Sequence, residues 1–395
     1  GFALRSTSES MESNVNALQL GILTISFGPC AKSLLDSCSM NSYIEQKKVK
    51  ILIIRFSSFG DIIQGLFALD QLTHHLPQSE IHWAVRNDSV EFLNQHTYLK
   101  KVWGLDRNQG IKGLWQLARA LNREKFTHLY DAHCNLRSHL LVWFLFIGSL
   151  LQGYVPHFIR RKKHRFKRWL LMKWKIKWLP WPFRGALSYL QPLTPWGIKN
   201  QELLPPLLKL SLQPVDQIQS QLKYPLHQYI VIAPSAAWEL KRWPLEYWLK
   251  LISLLSDQQF IVVGGPQDHF CSSLSQAFPQ QVLNLAGQLS WPETGTIISA
   301  AQLVISGDTG VMHLADYLNQ PTLALIGPTA FGFPVRSQSL VLESSMSCRP
   351  CTKDGRGTCI QKTHQLCLVN ITPQQVCQKV KEMCAKREIR EGNKL

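Results

Sequence analysis

The stretch RFSSFGDIIQ, Arg55 to Gln64, follows the apolar run VKILII and reads as the turn from a first strand into a first helix. Nucleotide-binding α/β proteins usually fill that turn with glycine, so that a diphosphate can approach the helix N-terminus. Here it holds one glycine, two serines and a carboxylate. An anion-binding corner should not want a carboxylate, and the plain reading of Asp61 is that it caps the helix. A second constellation, GDTGVMHLA, puts Asp308 and Thr309 where a helix begins. N–H groups of Thr309 and Gly310 could then hold a phosphate, with His313 one turn further on the same face. The plain alternatives are an N-cap for Asp308 and a satisfied helix histidine for His313. Lys241 precedes a proline-initiated helix, PLEYWLKLISLL, and can reach a diphosphate as a point charge or remain solvated.

These residues need elements to position them. From Val49 the chain alternates β-rich runs with helical patterns. Candidate strands are KILIIRF, EIHWAVR, KKVWGL and THLYDAH, then YIVIAPS, QFIVVGG, QVLNLAG, QLVISGD, PTLALIG and SLVLES. Ile62, Leu66, Leu69, Leu72 and Leu76 have the spacing of one helix face. The apolar run Leu140 to Leu151 is too short to span a bilayer and reads as a buried helix. Alternating strands and helices imply parallel sheets with ligands at the strand carboxyl ends. Pro234-Ser235-Ala236, the GGPQD run ending at Asp268, and Gly327-Pro328-Thr329 sit at such ends. Each alone is ordinary turn chemistry, but together they are candidate contacts of one crevice. The expected fold is α/β, with two Rossmann-like, doubly wound domains facing across a cleft. Residues 1–47 form an N-terminal extension, 48–210 a first domain, 211–226 a linker and 227–395 a second domain.

Of 395 residues, 43 are Lys or Arg and 26 are Asp or Glu, a net charge of +17. That excess favours an anionic partner. Eleven of the cations lie in HFIRRKKHRFKRWLLMKWKIKWLPWPFRG, 157–185, with Trp169, Trp174, Trp178 and Trp181 among them and no acid. Three readings compete for this arm: nucleic acid, an anionic membrane surface and a phosphorylated glycolipid. Cations beside tryptophans suit the membrane interface better than nucleic acid, which is not expected as a partner. A non-catalytic polyanion-binding protein is the rival from a different class. Residues 17–31 are apolar but lack the cationic flank of a secretory leader. A reducing cytoplasm is therefore the default, and disulfides are not expected among the ten cysteines. Cys348, Cys351, Cys359 and Cys367 are spaced C-x2-C-x7-C-x7-C. They could hold a structural zinc or stay as free, reversibly oxidised thiols. Neither half carries G-x-G-x-x-G after its first strand, which disfavours a dinucleotide oxidoreductase.

RFSSFGDII, APSAAWELKRWP, VVGGPQD, LAGQLSWPE and SGDTGVMHLAD…QPTLALIGPT come in one order between about Val49 and Cys377. In that order they resemble the bacterial heptosyltransferases, glycosyltransferase family 9. The resemblance implies a fold of the GT-B type and an inverting transfer from ADP-heptose to the inner core of lipopolysaccharide, with no cofactor required. It implies Asp61 as the base and Lys241 at the donor diphosphate. Ser235, Ala236, Asp308, Thr309, Gly310 and His313 would form the donor site, with Asp268 near the ribose. Ser57, Ser58, Gly60, Arg160, Arg161, Lys162 and Lys163 fall to the acceptor side. The implied acceptor is a phosphorylated glycolipid, a Kdo-lipid A type core. The implied location is cytoplasmic, peripheral on the inner face of the inner membrane.

Overall fold

A computed structural model describes residues 48–199, 202–210, 218, 222 and 224–392. The extension 1–47 and most of the segment 211–226 lie outside the described residues. The first half runs β1 (Lys50–Ile54), α1 (Phe59–His75), β2 (Glu80–Arg86), α2 (Val90–Asn94), β3 (Leu99–Leu105), α3 (Gly110–Asn122), β4 (His128–Asp131), α4 (Leu136–Leu151), β5 (His157–Arg160), α5 (Arg165–Trp174) and α6 (Leu187–Leu190). The second half runs β6 (Tyr229–Ala233), α7 (Leu245–Leu254), β7 (Gln259–Val262), α8 (Ser272–Ala277), β8 (Val282–Asn284), α9 (Trp291–Ala300), β9 (Leu303–Gly307), α10 (Gly310–Tyr317), β10 (Thr322–Ile326), β11 (Ser339–Glu343), α11 (Leu366–Val369) and α12 (Pro373–Gly392).

Each half builds one parallel sheet, in the orders β3-β2-β1-β4-β5 and β11-β10-β9-β6-β7-β8. The central strands are continuous apolar runs, as burial on both faces requires. Ile51 to Ile54 and Tyr229 to Ala233 are buried throughout. In both sheets the chain winds outward on one side of its first strand, then returns to wind out on the other. The reversals fall between β1 and β4 and between β6 and β9, so the crevices open at the carboxyl ends of these four strands.

The two sheets share a core. Ile62, Leu66 and Leu69 of α1 belong to one buried apolar cluster with Val311, Leu314 and Ala315 of α10. Asp70 reinforces this seam from the side: Tyr317 Oη donates to its Oδ1 over 3.0 Å, with His96 Nε2 at 3.5 Å.

Ten strands fall on the runs expected of them, and β5 is an addition. HFIR is four residues long, with only Ile159 buried, and it opens the basic arm. A second finding corrects the reading of Leu140 to Leu151 as buried. In α4 only one face packs, through Leu141, Val142 and Leu145. Trp143 is 58% exposed, Leu150 61% and Leu151 85%. The helix is apolar nearly all round, but among the described residues it is covered on one side only.

Leu66 is fully buried in the core common to both sheets. Leu66→Ala should cost roughly 2–5 kcal/mol. Calorimetry should show the whole chain melting earlier in one transition. A second transition left at its original temperature would mean that the halves fold on independent cores.

Candidate active site

Between the sheets lies a cavity of about 580 Å³. It is lined from the first half by the β1–α1 turn, by α1 and by the arm, and from the second by the ends of β6, β7 and β9. The first turns of α1 and α10 meet across it. A Cβ on Gly60 would stand 2.7 Å from His313 Cδ2, so only glycine permits this approach. Phe59 stacks on Trp291 of α9 with ring centroids 3.5 Å apart, and Gln64 Nε2 lies 3.2 Å from His313 Nε2. The single glycine of RFSSFGD therefore admits the other half of the protein.

Asp61 is the third residue of α1, and Ser58 occupies the N-cap position. This corrects the capping alternative for Asp61. Its carboxylate is instead gripped by side chains. Arg55 pairs with Oδ2, and Ser58 Oγ donates to the same oxygen over 3.0 Å. Tyr189 Oη donates to Oδ1 over 3.1 Å, with Arg161 Nη1 3.6 Å away. Burial alone would raise this carboxyl, but Arg55, then Arg161, and the two hydroxyl bonds outweigh it. They hold it well below the usual carboxylate range. Asp61 is thus ionised at neutral pH, and 34% of its side chain remains accessible.

Four cations stand around this one carboxylate: Arg55, Arg161, Lys163 and Arg168, all lining the cavity. Arg55 is only 4% exposed. Burial, then the charge of Arg55, pushes the Lys163 ammonium down to about 8. Burial, then Arg161, lowers Arg168 to about 10. The Arg168 guanidinium lies over Phe331 and Phe183, and its buried Nε has no hydrogen-bond partner among the described residues. This wall carries a surplus of positive charge.

The opposite wall repeats the motif of a clamped carboxylate at a strand end. Asp308 follows β9, accepts from Thr329 Oγ1 over 2.6 Å, and has Lys241 Nζ at 3.3 Å and His313 Nε2 at 3.6 Å. Burial opposes its ionisation, but Lys241 and the bonds from His313 and Thr329 keep it well below the usual range. Asp308 is not the cap of α10. Thr309 is, accepting from Met312 N with its hydroxyl. Thr309, Gly310 and Val311 line the cavity, so the first turn of α10 opens onto it with its positive dipole end.

Ser58, Gly60, Asp61, Arg161, Lys163, Ser235, Ala236, Lys241, Asp308, Thr309, Gly310 and His313 all line this cavity. Ser57, Arg160, Lys162 and Asp268 stand back from it. Arg160 Nε donates to buried Asp131 over 3.1 Å at the end of β4, and Lys162 is exposed. Asp268 accepts from Gly265 N and Ser235 Oγ, which braces the glycine turn after β7 from behind. Arg55, Gln64, Arg168, Tyr189 and Trp291 were not singled out in the sequence. Of these only Arg55 carried a signal, its place directly after β1.

The zinc reading is corrected. Cys348, Cys351, Cys359 and Cys367 are thiols around one small gap beside Leu240 and Pro328. Among the described residues no three His, Cys, Asp or Glu side chains are arranged to hold a metal ion. Cys367 is packed into the apolar core, where burial pushes its thiol up to about 11, and the Cys359 thiol faces the Thr363 carbonyl.

The comparisons with known proteins agree with this geometry. The lipopolysaccharide heptosyltransferase 1 of Pseudomonas aeruginosa is 24% identical over 381 residues, 85% of this chain and 98% of its own. The crystal structure of a family 9 glycosyltransferase from Veillonella parvula has a TM-score of 0.68 at 18% identity, covering 86% of this chain and 98% of that one. That of the ADP-heptose lipopolysaccharide heptosyltransferase II of Escherichia coli has a TM-score of 0.66 at 21% identity, covering 86% of this chain and all of that one. They show a shared fold, two Rossmann-like domains of the GT-B type. The sequence model of glycosyltransferase family 9 (heptosyltransferase) matches residues 114–362, and this chain, more than half of which it covers, belongs to that family of glycosyltransferases.

Proposed function

We propose that the chain moves a heptose from ADP-heptose to the inner core of lipopolysaccharide, with inversion at the anomeric carbon. The observation that carries this reading is the convergence on one cavity of an ionised acid, Asp61, and an anion corner made by Lys241 and the first turn of α10. The donor lies against residues 227–395 and the acceptor against 48–210. An acceptor hydroxyl gives its proton to Asp61 while its oxygen bonds to the anomeric carbon. The bond to the diphosphate breaks, and ADP leaves with the electron pair. Lys241 and the α10 N-terminus stabilise the charge that collects on the leaving group. All four grips on Asp61 cost it basicity, and the donor diphosphate nearby returns some. The loosest, Arg161 at 3.6 Å, is the one an acceptor hydroxyl displaces.

The surplus cations on the Asp61 wall suit an acceptor that is itself anionic, as a phosphorylated glycolipid core is. Such a lipid keeps the enzyme peripheral, on the inner face of the inner membrane, with the basic arm toward anionic headgroups. Among the described residues no helix is long and apolar enough to cross a membrane. The reading is tested with ADP-heptose and a purified glycolipid acceptor, by following ADP release and the mass of the lipid product. Release only with another nucleotide sugar would move the protein to a different donor within the family. No release with any nucleotide sugar would leave a polyanion-binding protein.

Asp61→Asn should slow transfer by about a hundred- to ten-thousand-fold while ADP binding holds or tightens. It should also lower the melting temperature, because buried Arg55 loses its charge partner. Solvent at the exposed third of Asp61 limits that loss to roughly 1–3 kcal/mol. The depressed carboxyl contributes stability above the ordinary aspartate pKa of about 4, and this is lost as pH falls below that value. The stability gap between the wild type and D61N should therefore be full at neutral pH and narrow in acid. Near-native turnover in D61N would reduce Asp61 to an anchor for the arginines.

Lys163 should set an alkaline limb. With its ammonium at about 8, kcat/KM should fall as pH rises through that value, because a cation facing the acceptor is lost. Lys163→Arg keeps its charge throughout, so the limb should vanish from the pH profile. A limb unmoved in K163R would assign it to another group.

A further inference from the structure

The first half of the protein has an outward face that no element among the described residues covers. α3 and α4 pack side by side over the same face of the first sheet, burying Leu114, Leu117 and Leu121 of one and Leu141, Val142 and Leu145 of the other against Leu52 and Ile54. Their opposite sides point to solvent. On α4 these are Leu136, Trp143, Ile147, Leu150 and Leu151, at the spacing of one helix face, and on α3 they are Ile111 and Trp115. A run of large exposed apolar side chains on adjacent helices is not an ordinary solvated surface.

The helices that make this face carry charge of one sign. α3 holds no acidic residue, nor does the sequence between Asp131 and Glu202, and Asp131 itself is buried under Arg160. Lys112 and Arg119 flank Ile111 and Trp115 on α3, and Arg119 lies over the Trp115 ring at 4.7 Å. The basic arm continues the surface. Arg165 at the start of α5 donates to the Cys134 carbonyl beside the start of α4, over 3.0 Å. Beyond it Phe166, Trp169 and Trp174 are exposed, with Lys173 set between the two tryptophans. Tryptophan, leucine and cations together on a face without acid match the boundary between headgroups and acyl chains of an anionic bilayer. At 16 residues α4 is about 24 Å long, short of the roughly 30 Å hydrocarbon core, so it lies in the interface and does not span it.

We propose that the outward faces of α3 and α4, continued by the start of the arm at α5, form the surface by which this protein lies on an anionic phospholipid membrane. The proposal rests on the glycolipid acceptor of the preceding section only for why the cavity should sit beside a bilayer. The surface itself is drawn from residues outside that cavity.

The experiment is co-sedimentation with phosphatidylcholine vesicles, with and without phosphatidylglycerol, beside the melting temperature and sedimentation velocity of each variant. Wild type should bind the vesicles that contain phosphatidylglycerol. Trp143→Ser, Leu150→Ser and Leu151→Ser combined should melt as wild type does, because none of the three is in a core, yet partition about 10- to 100-fold less. Lys167→Ser, Lys173→Ser and Lys177→Ser combined should lose the preference for phosphatidylglycerol and the sensitivity to salt. The proposal is overturned if wild type binds no vesicles, or if the α4 variant binds as tightly as wild type. It is also overturned if wild type sediments as a dimer that the α4 variant splits, since a second copy is then the occupant. Transfer to a soluble, delipidated acceptor should be unchanged in the α4 variant. Vesicle binding by a wild type that transfers no sugar would reject the proposed function and leave this surface standing.

Discussion

The whole site depends on how closely two helix N-termini approach. α1 and α10 begin at strand ends in different sheets, and both first turns carry the partial positive charge of unpaired N–H groups. Left alone, such ends repel. They are held together by packing, Phe59 on Trp291 and the shared apolar seam behind them, and by the missing side chain at Gly60, into whose space the His313 ring fits. The result is a cavity flanked by two positive helix ends. Any carboxylate between them would be stabilised, and any phosphate would be attracted. That explains why a β1–α1 turn with one glycine suffices: the glycine is spent on the other helix and not on a diphosphate.

Each half answers its own helix end with an acid. Asp61 and Asp308 both follow a central strand, both are clamped by a cation and by hydroxyls, and both stay ionised although burial works against it. The clamps differ in a way that separates their tasks. Asp308 is reached by one cation, Lys241, and by His313, and its wall is close to charge balance. Asp61 is outnumbered by Arg55, Arg161, Lys163 and Arg168. A fixed carboxylate within a cationic surplus holds the guanidinium groups in place and still leaves net charge for a ligand. In the proposed transfer, one cluster thereby serves both the base and the binding of an anionic acceptor.

Most of this architecture could be read from the sequence because it rests on local patterns. Ten strands are apolar, β-rich runs ended by Gly, Pro, Ser or Asp, and Asp61, Lys241 and Asp308 stand at positions where a parallel sheet must present its ligand contacts. What escaped is tertiary. Tyr189 reaches Asp61 from 128 positions away, and Arg168 enters the cavity from a run dense in other basic residues, so neither carries a signal of its own. Arg55 stands directly after a strand, but its burial and its pairing with Asp61 are tertiary. β5 was hidden because an edge strand of four residues with one buried side chain has no period to detect. The cysteines misled for the opposite reason. Their spacing is local and suggestive, but the second pair lies partly in a loop and partly in a core helix, and no tetrahedron results.

The misreading of α4 carries the most physical content. A helix that is apolar all round is expected in a core, because water gives no reason to place tryptophan and leucine outward. Among the described residues a single layer of helices covers each face of the first sheet, and α4 has nothing beyond it. Its outer residues belong to no core among the described residues, and their apolar character calls for a partner beyond those residues. The same half of the protein has no acid between Asp131 and Glu202, a gap that the second half does not match. Both asymmetries point the same way. The half whose cavity wall is cationic is also the half whose exterior is cationic and apolar, so a molecule with an anionic head and an acyl tail would find complementary surfaces on the inside and the outside of one domain.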